Sequence, residues 1–191
     1  MNGSAKLHGS TPRNHPSDRL EVLIDRETLH RRVAELAREI DRRYAGQTPI
    51  LVGLLKGSFI FLADLVRQVT IDYQVDFMSI TAYGNMTEHS GAVRLLKDLS
   101  VSINGRLVLI VEDIVDSGMT IDYIYRMLLA RHPARLEIMT LLSKTKRRAV
   151  DVPIEYVGFD IDNVFVVGYG LDLAERYRGL DHIAVVDSVD E

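Results

Sequence analysis

An apolar run of five residues, Leu107-Val108-Leu109-Ile110-Val111, is closed by two acids side by side, Glu112-Asp113. Ile114-Val115 and then Asp116-Ser117-Gly118-Met119-Thr120 follow. The run is rich in branched side chains and predicts a strand buried on both faces. The apolar spacing resumes at Ile121, Ile124, Tyr125 and Leu128, as on one face of a helix. A turn between such elements aims free backbone N–H groups, one flexible glycine and two hydroxyls at a common point, which describes a phosphate site at a helix N-terminus. Taken alone, Asp-Ser-Gly-x-Thr fits an acid-capped turn equally well. The acidic doublet favours the site, because the carboxyl end of a buried strand is where open α/β sheets bind ligands. Two carboxylates there repel each other unless hydroxyls or a cation share them.

An anionic ligand also needs positive charge, and the chain as a whole does not supply it. With 23 basic and 27 acidic residues the net charge is -4, which leaves no broad footprint for nucleic acid. The local candidates are Lys56, Lys144, Arg178, helix N-termini and a divalent cation. Lys56-Gly57 stands at the mouth of the apolar run Ile50–Leu54, and Lys144 lies in the basic hexapeptide Ser143–Arg148. By residue type alone these lysines and the hexapeptide suit solvated loops, Arg178 suits the surface and Phe165 suits the core.

Several elements must position these groups. Asp25 can cap a helix whose apolar stripe is Leu29, Val33, Leu36, Ala37 and Ile40, ending near Gly46. A buried strand over 50–54 leads through Leu55-Lys56-Gly57-Ser58 into an apolar helix from Phe59 to about Val69, the start of a βαβ unit. Alternation predicts a strand over 75–83. The polar, glycine-bracketed stretch 84–91 suits either a lid over a nearby site or an ordinary hairpin connection. A helix over 120–131 ends near Pro133, and strands are expected over 136–142 and 183–186. The alternation of strands and helices makes the fold class α/β, with a central, mostly parallel sheet flanked by helices.

At 191 residues and 47% hydrophobic content, one domain spanning 18–191 is expected, behind a disordered leader at 1–17. The leader has no apolar stretch of the kind a secretory signal needs, and no run approaches a membrane span. Cysteine is absent, which excludes disulfides and thiolate metal sites and agrees with a reducing, cytoplasmic setting. The six histidines show no metal-ligand spacing.

The strand followed by Glu-Asp-Ile-Val-Asp-Ser-Gly-Met-Thr closely resembles the phosphoribosyl-pyrophosphate motif of type I phosphoribosyltransferases, in the version of their hypoxanthine-guanine branch. A second specific match is Phe-Val-Val-Gly-Tyr-Gly-Leu-Asp over 165–172 followed by Tyr-Arg-Gly-Leu over 177–180, and the matched blocks run from about 50 to 187. The resemblance implies a small hood built from N- and C-terminal segments. It also implies transfer of a phosphoribosyl group from phosphoribosyl pyrophosphate to hypoxanthine or guanine. Asp116 to Thr120 would hold the 5′-phosphate, with Asp116 as general base or as a purely structural carboxylate. Glu112 and Asp113 would face the ribose, directly or through magnesium, with Asp172 serving a second magnesium. Lys56 and Gly57, in a loop with an unusual cis peptide after Leu55, would hold pyrophosphate with Arg178. Lys144, Phe165, Val166 and Asp172 would read the purine, and Tyr83 would open a mobile lid. The family's serine before that tyrosine is Ala82 here. A homodimer or homotetramer is implied. Two rivals stand beside this reading: a regulator that keeps the pocket but binds RNA, and a sister transferase for xanthine or a pyrimidine.

Overall fold

The computed structural model describes residues 19–83 and 92–187. In chain order the elements are β1 (Arg19–Ile24), α1 (Arg26–Arg43), β2 (Ile50–Leu55), α2 (Phe59–Val66), β3 (Gln74–Tyr83), β4 (Ala92–Lys97), β5 (Leu107–Val115), α3 (Met119–Leu129), β6 (Arg135–Ser143), β7 (Tyr156–Asp160), β8 (Val166–Val167) and β9 (Ile183–Asp187). Six strands form the central sheet in the order β4-β3-β2-β5-β6-β7. Every pair in it is parallel except β3 with β4. A separate antiparallel sheet, β1-β9-β8, joins the N- and C-terminal segments as the expected hood.

The central sheet is covered on both faces, which its near-continuous apolar strands require. Leu51, Leu109 and Val111 pack with the stripe of α1 and with Phe61, Leu62 and Leu65 of α2. Their neighbours Val52, Val108 and Ile110 point the other way, onto Ile121, Ile124 and Leu128 of α3. The stripe read for α1 is buried throughout, and Asp25 Oδ1 accepts the Thr28 N–H at 2.8 Å as the cap.

Several boundaries differ from expectation. Helix α2 stops at Val66 because its end tightens, with Gln68 N–H donating to Leu65 O at 2.9 Å. Helix α3 closes two residues early in the same way, and His132 at φ 55 turns the chain before Pro133. Strand β5 runs four residues past the apolar run, to Val115, because β6 keeps pairing with it through Val115↔Ser143. Strand β4 pairs antiparallel with β3, the partner that the hairpin reading of 84–91 requires. Residues 84–91, read as a lid, and 1–17, read as a leader, lie outside the described residues.

Candidate active site

A crevice opens where the sheet reverses its direction of winding. Strands β2 and β5 are neighbours, yet the chain leaves β2 toward β3 and leaves β5 toward β6, which makes their carboxyl ends the topological switch point. Pairing between them ends at Gly53↔Val111, so Glu112 to Val115 stand clear of β2 on that edge. The site is built around this exposed strand end.

Successive side chains of a strand leave on opposite faces, yet the two carboxyls of the acidic doublet come back within hydrogen-bond reach of each other. Asp113 follows Leu109 and Val111 toward α2. A Cβ on Gly57 would lie 1.6 Å from Asp113 Oδ2, so only glycine fits there. Glu112 follows Val108 and Ile110 toward α3 and lines a cavity of about 480 Å³ with Ile114, Arg147 and the turn residues Asp116 to Thr120. The doublet therefore stands between the cavity and Gly57. Burial pushes the Asp113 carboxyl up to about 6, against the hydrogen bond its Oδ1 accepts from Ile114 N–H at 2.8 Å. Burial first, and then the charge of Asp113, hold Glu112 well above the usual carboxylate range. Glu112 Oε2 is buried without a hydrogen-bond partner.

The turn after β5 has the conformation its sequence predicts. Gly118 sits at φ 85 as the N-cap of α3, and no side chain caps the helix. First-turn N–H groups have no partner within a helix and face the cavity, Met119 N–H reaching Ser117 Oγ at 3.5 Å. Asp116 is held from two sides, by Lys144 Nζ at 3.0 Å from Oδ2 and by Arg147 Nε at 3.2 Å from Oδ1. Lys144 is buried, which corrects the solvated reading of its loop: Lys144 N–H donates to Val115 O, drawing the start of the loop in beside β5. Arg147, also read as part of a solvated basic run, lines the cavity.

On the α2 side the peptide Leu55–Lys56 is cis, as the resemblance implied. Lys56 Nζ lies 3.1 Å from Glu175 Oε1. Arg178 is not the surface residue its type suggests. Its guanidinium meets Asp172 at 2.7 Å and Glu175 at 3.2 Å and donates to Gly170 O at 2.8 Å, so its side chain is only 19% exposed. Phe165 errs in the opposite direction and is 53% exposed. It precedes β8, an edge strand of the hood, so no further strand covers its ring. Val166 beside it is buried and pairs with Val185.

Three proposed metal ligands are not gathered into one cage. Among the described residues no three carboxylates or histidines form a cluster that could hold a metal ion, and Asp172 is taken by Arg178. Tyr83 ends β3, where it pairs with Ala92. Sequence reasoning missed Glu175, which joins Lys56 to Arg178, and the place of Arg147 beside Asp116. No spacing or residue type marks either.

A helix N-terminus, an acidic strand end and cations gathered at one switch-point crevice make an arrangement suited to an anionic ligand. The chain belongs to the phosphoribosyl transferase domain family, whose model matches residues 23–174. More narrowly, it is 49% identical over 179 residues to the hypoxanthine-guanine phosphoribosyltransferase of Mycobacterium avium, covering 91% of this chain and 88% of that protein. It is 48% identical over 174 residues to the hypoxanthine phosphoribosyltransferase of Escherichia coli K12, covering 90% and 98%. The crystal structure of a hypoxanthine-guanine phosphoribosyltransferase from Bacillus anthracis superposes with a TM-score of 0.84 at 47% identity, covering 87% of this chain and 98% of that one.

Proposed function

We propose that this chain is a purine salvage enzyme that transfers the 5-phosphoribosyl group from phosphoribosyl pyrophosphate to hypoxanthine or guanine, releasing pyrophosphate and forming IMP or GMP. The observation that carries the reading is the strand end of β5. One of its carboxylates, Glu112, lines the cavity at α3, and the other, Asp113, meets Gly57 of the Lys56 loop. A molecule with a phosphate at one end and a pyrophosphate at the other spans that arrangement.

The 5′-phosphate takes the turn from Asp116 to Thr120, where the helix terminus favours negative charge. Lys56, Gly57 and Arg178 hold the pyrophosphate, Arg178 through a charge-assisted fork. Glu112 and Asp113 face the ribose hydroxyls. Phe165 offers an exposed ring for stacking, and the Val166 backbone and Asp172 flank the base. A purine presents its 6-substituent and imidazole nitrogen on one edge. Lys144 and Asp116, 3.0 Å apart, meet that edge as donor and acceptor. An ammonium donates and cannot accept, which favours a 6-oxo over a 6-amino group. As the purine nitrogen bonds to the anomeric carbon, the bond to pyrophosphate breaks and Asp116 takes the imidazole proton. The sugar passes through oxocarbenium-like character, so water must be kept out. We assign that exclusion to the lid beginning at Tyr83.

Magnesium suits the acidic strand end. It prefers oxygen ligands and is commonly held by one or two carboxylates together with substrate phosphates and waters. Glu112 and Asp113 are oxygen donors, Asp113 is buried, and the buried Glu112 Oε2 is unpartnered. A second ion at Asp172 requires that residue to release Arg178. Bound there, the metal supplies neutralisation of charge on the departing pyrophosphate. No helix is long and apolar enough to cross a membrane among the described residues. Action in the cytoplasm as a homodimer or homotetramer completes the proposal, homo-oligomers being the common state of soluble enzymes.

The test is a panel of free bases with phosphoribosyl pyrophosphate and magnesium, following both nucleotide formation and pyrophosphate release. Hypoxanthine or guanine should be consumed, and adenine and pyrimidines should lag. No pyrophosphate release with any oxopurine would overturn the reading.

A further inference from the structure

The hydroxyl of Tyr169 donates to Asp64 Oδ2 at 2.8 Å, tying α2 to the segment between Phe165 and Asp172 across 105 residues of sequence. Tyr169 is buried, and its backbone sits at φ 51. A bulky residue stays in that region only when its surroundings hold it there. Main-chain bonds contribute, from Tyr169 N–H to Leu180 O at 3.0 Å and from Gly170 N–H to Arg178 O at 2.9 Å. The phenol is the side-chain anchor. Burial, and then the carboxylate, hold it far above its usual range, so it remains a donor. Asp64 is in turn steadied through its other oxygen, which accepts from Arg67 Nη1 at 2.7 Å.

What this tether holds in place is the pyrophosphate side of the crevice. Gly170, at φ 107, rests so close to the Lys56 loop that a Cβ on it would be 2.0 Å from Gly57 O. Gly57 in turn packs against Asp113, and Gly170 O accepts from Arg178 Nη1 at 2.8 Å. A shift of Tyr169 is therefore passed to the loop and to the guanidinium at once, because close-packed backbone has no slack to absorb it. Asp64 itself borders a separate cleft with His30 and Gln68 between α1 and α2, and it does not line the anion cavity.

We propose that Asp64 is a positioning residue for pyrophosphate, acting through the Tyr169 hydroxyl on the Gly170–Gly57 contact. The inference rests on the transfer reaction proposed above and adds to it a residue that touches neither substrate. Tyr169→Phe keeps the ring and removes the bond. Steady-state kinetics should show the KM for phosphoribosyl pyrophosphate raised roughly tenfold, the loss expected for one hydrogen bond to a charged group. The purine KM should change by less than about twofold, a split that general loosening of the fold would not produce. Asp64→Ala should match Tyr169→Phe, and the double variant should add little, since both changes remove one link. An unchanged KM in Tyr169→Phe, or effects that multiply in the double variant, would overturn the positioning role while wild-type turnover left the reaction standing. A wild type with no turnover would overturn both.

Discussion

Lys56 Nζ and the carboxylate of Glu175 lie 3.1 Å apart although 119 residues separate them in sequence. The same carboxylate reaches Arg178 Nη2 at 3.2 Å, so one acid links both cations assigned to pyrophosphate. Glu175 is exposed, and its carboxyl is held below its usual range by the hydrogen bonds from Lys56 and then Arg178. Pyrophosphate held by those two cations, as proposed, must displace it. Glu175→Ala should therefore strengthen pyrophosphate as a product inhibitor by up to about fivefold, the limit set by exposed ion pairs. The gain should shrink as salt is raised. Inhibition constants measured at two ionic strengths check both statements, and weaker inhibition would assign Glu175 a supporting role instead.

A pH dependence follows from Asp113. Its ordinary value of 3.8 is pushed up to about 6, first by burial. Between those values the ligand-free fold keeps a proton that the unfolded chain has released, so this group favours folding at low pH. Its ionisation above pH 6 costs the fold on the order of 3 kcal/mol, a cost absent below about pH 4. Asp113→Asn should then be more stable than the wild type at pH 8, with the difference closing as pH falls through 6 toward 4. Urea unfolding of the ligand-free proteins across that range measures it. Equal stability of the two at pH 8 would mean that the carboxylate carries no such penalty.

The residues that could be read in the sequence are those whose role is set by their neighbours in the chain. The stripe of α1, its Asp25 cap and the turn at Gly118 are local, and all three form as expected. The end of β5 was misjudged because a distant strand decides it: β6 pairs past the apolar run and carries the strand through Glu112-Asp113. Arg178 and Phe165 were reversed by residue type for the same reason. Arg178 is drawn in by Asp172, Glu175 and Gly170 O, whereas Phe165 stays open because the hood ends beside it. Only the resemblance of whole segments pointed to their roles. Glu175 and Arg147 escaped both routes, since a charged residue in a loop looks the same whether it is solvated or bridging.

Discrimination between purines should rest on Lys144. Its side chain is only 8% exposed, and Asp116 Oδ2 lies 3.0 Å from it. Lys144→Gln replaces a pure donor with a group that can also accept from a 6-amino substituent. The ratio of kcat/KM for hypoxanthine over adenine should fall at least roughly tenfold, about the discrimination one such hydrogen bond provides. Competition between the two bases in one reaction reads the ratio directly. A ratio that does not move would shift specificity to the backbone at Val166.

Asp116 poses the sharpest test, because its position suits two roles. Lys144 at 3.0 Å and Arg147 at 3.2 Å grip opposite oxygens of its carboxylate. The Arg147 contact is an ion pair without a hydrogen bond, since Asp116 Oδ1 has no hydrogen-bond partner. Asp116→Asn keeps the shape and an acceptor oxygen but cannot take the proton. If Asp116 is the general base, kcat should fall roughly 100- to 10,000-fold, while both KM values stay within a few-fold of wild type. If Asp116 only braces the phosphate turn, the result inverts: the KM for phosphoribosyl pyrophosphate rises and kcat is retained. Steady-state kinetics of this one variant separate a proton acceptor from a structural carboxylate.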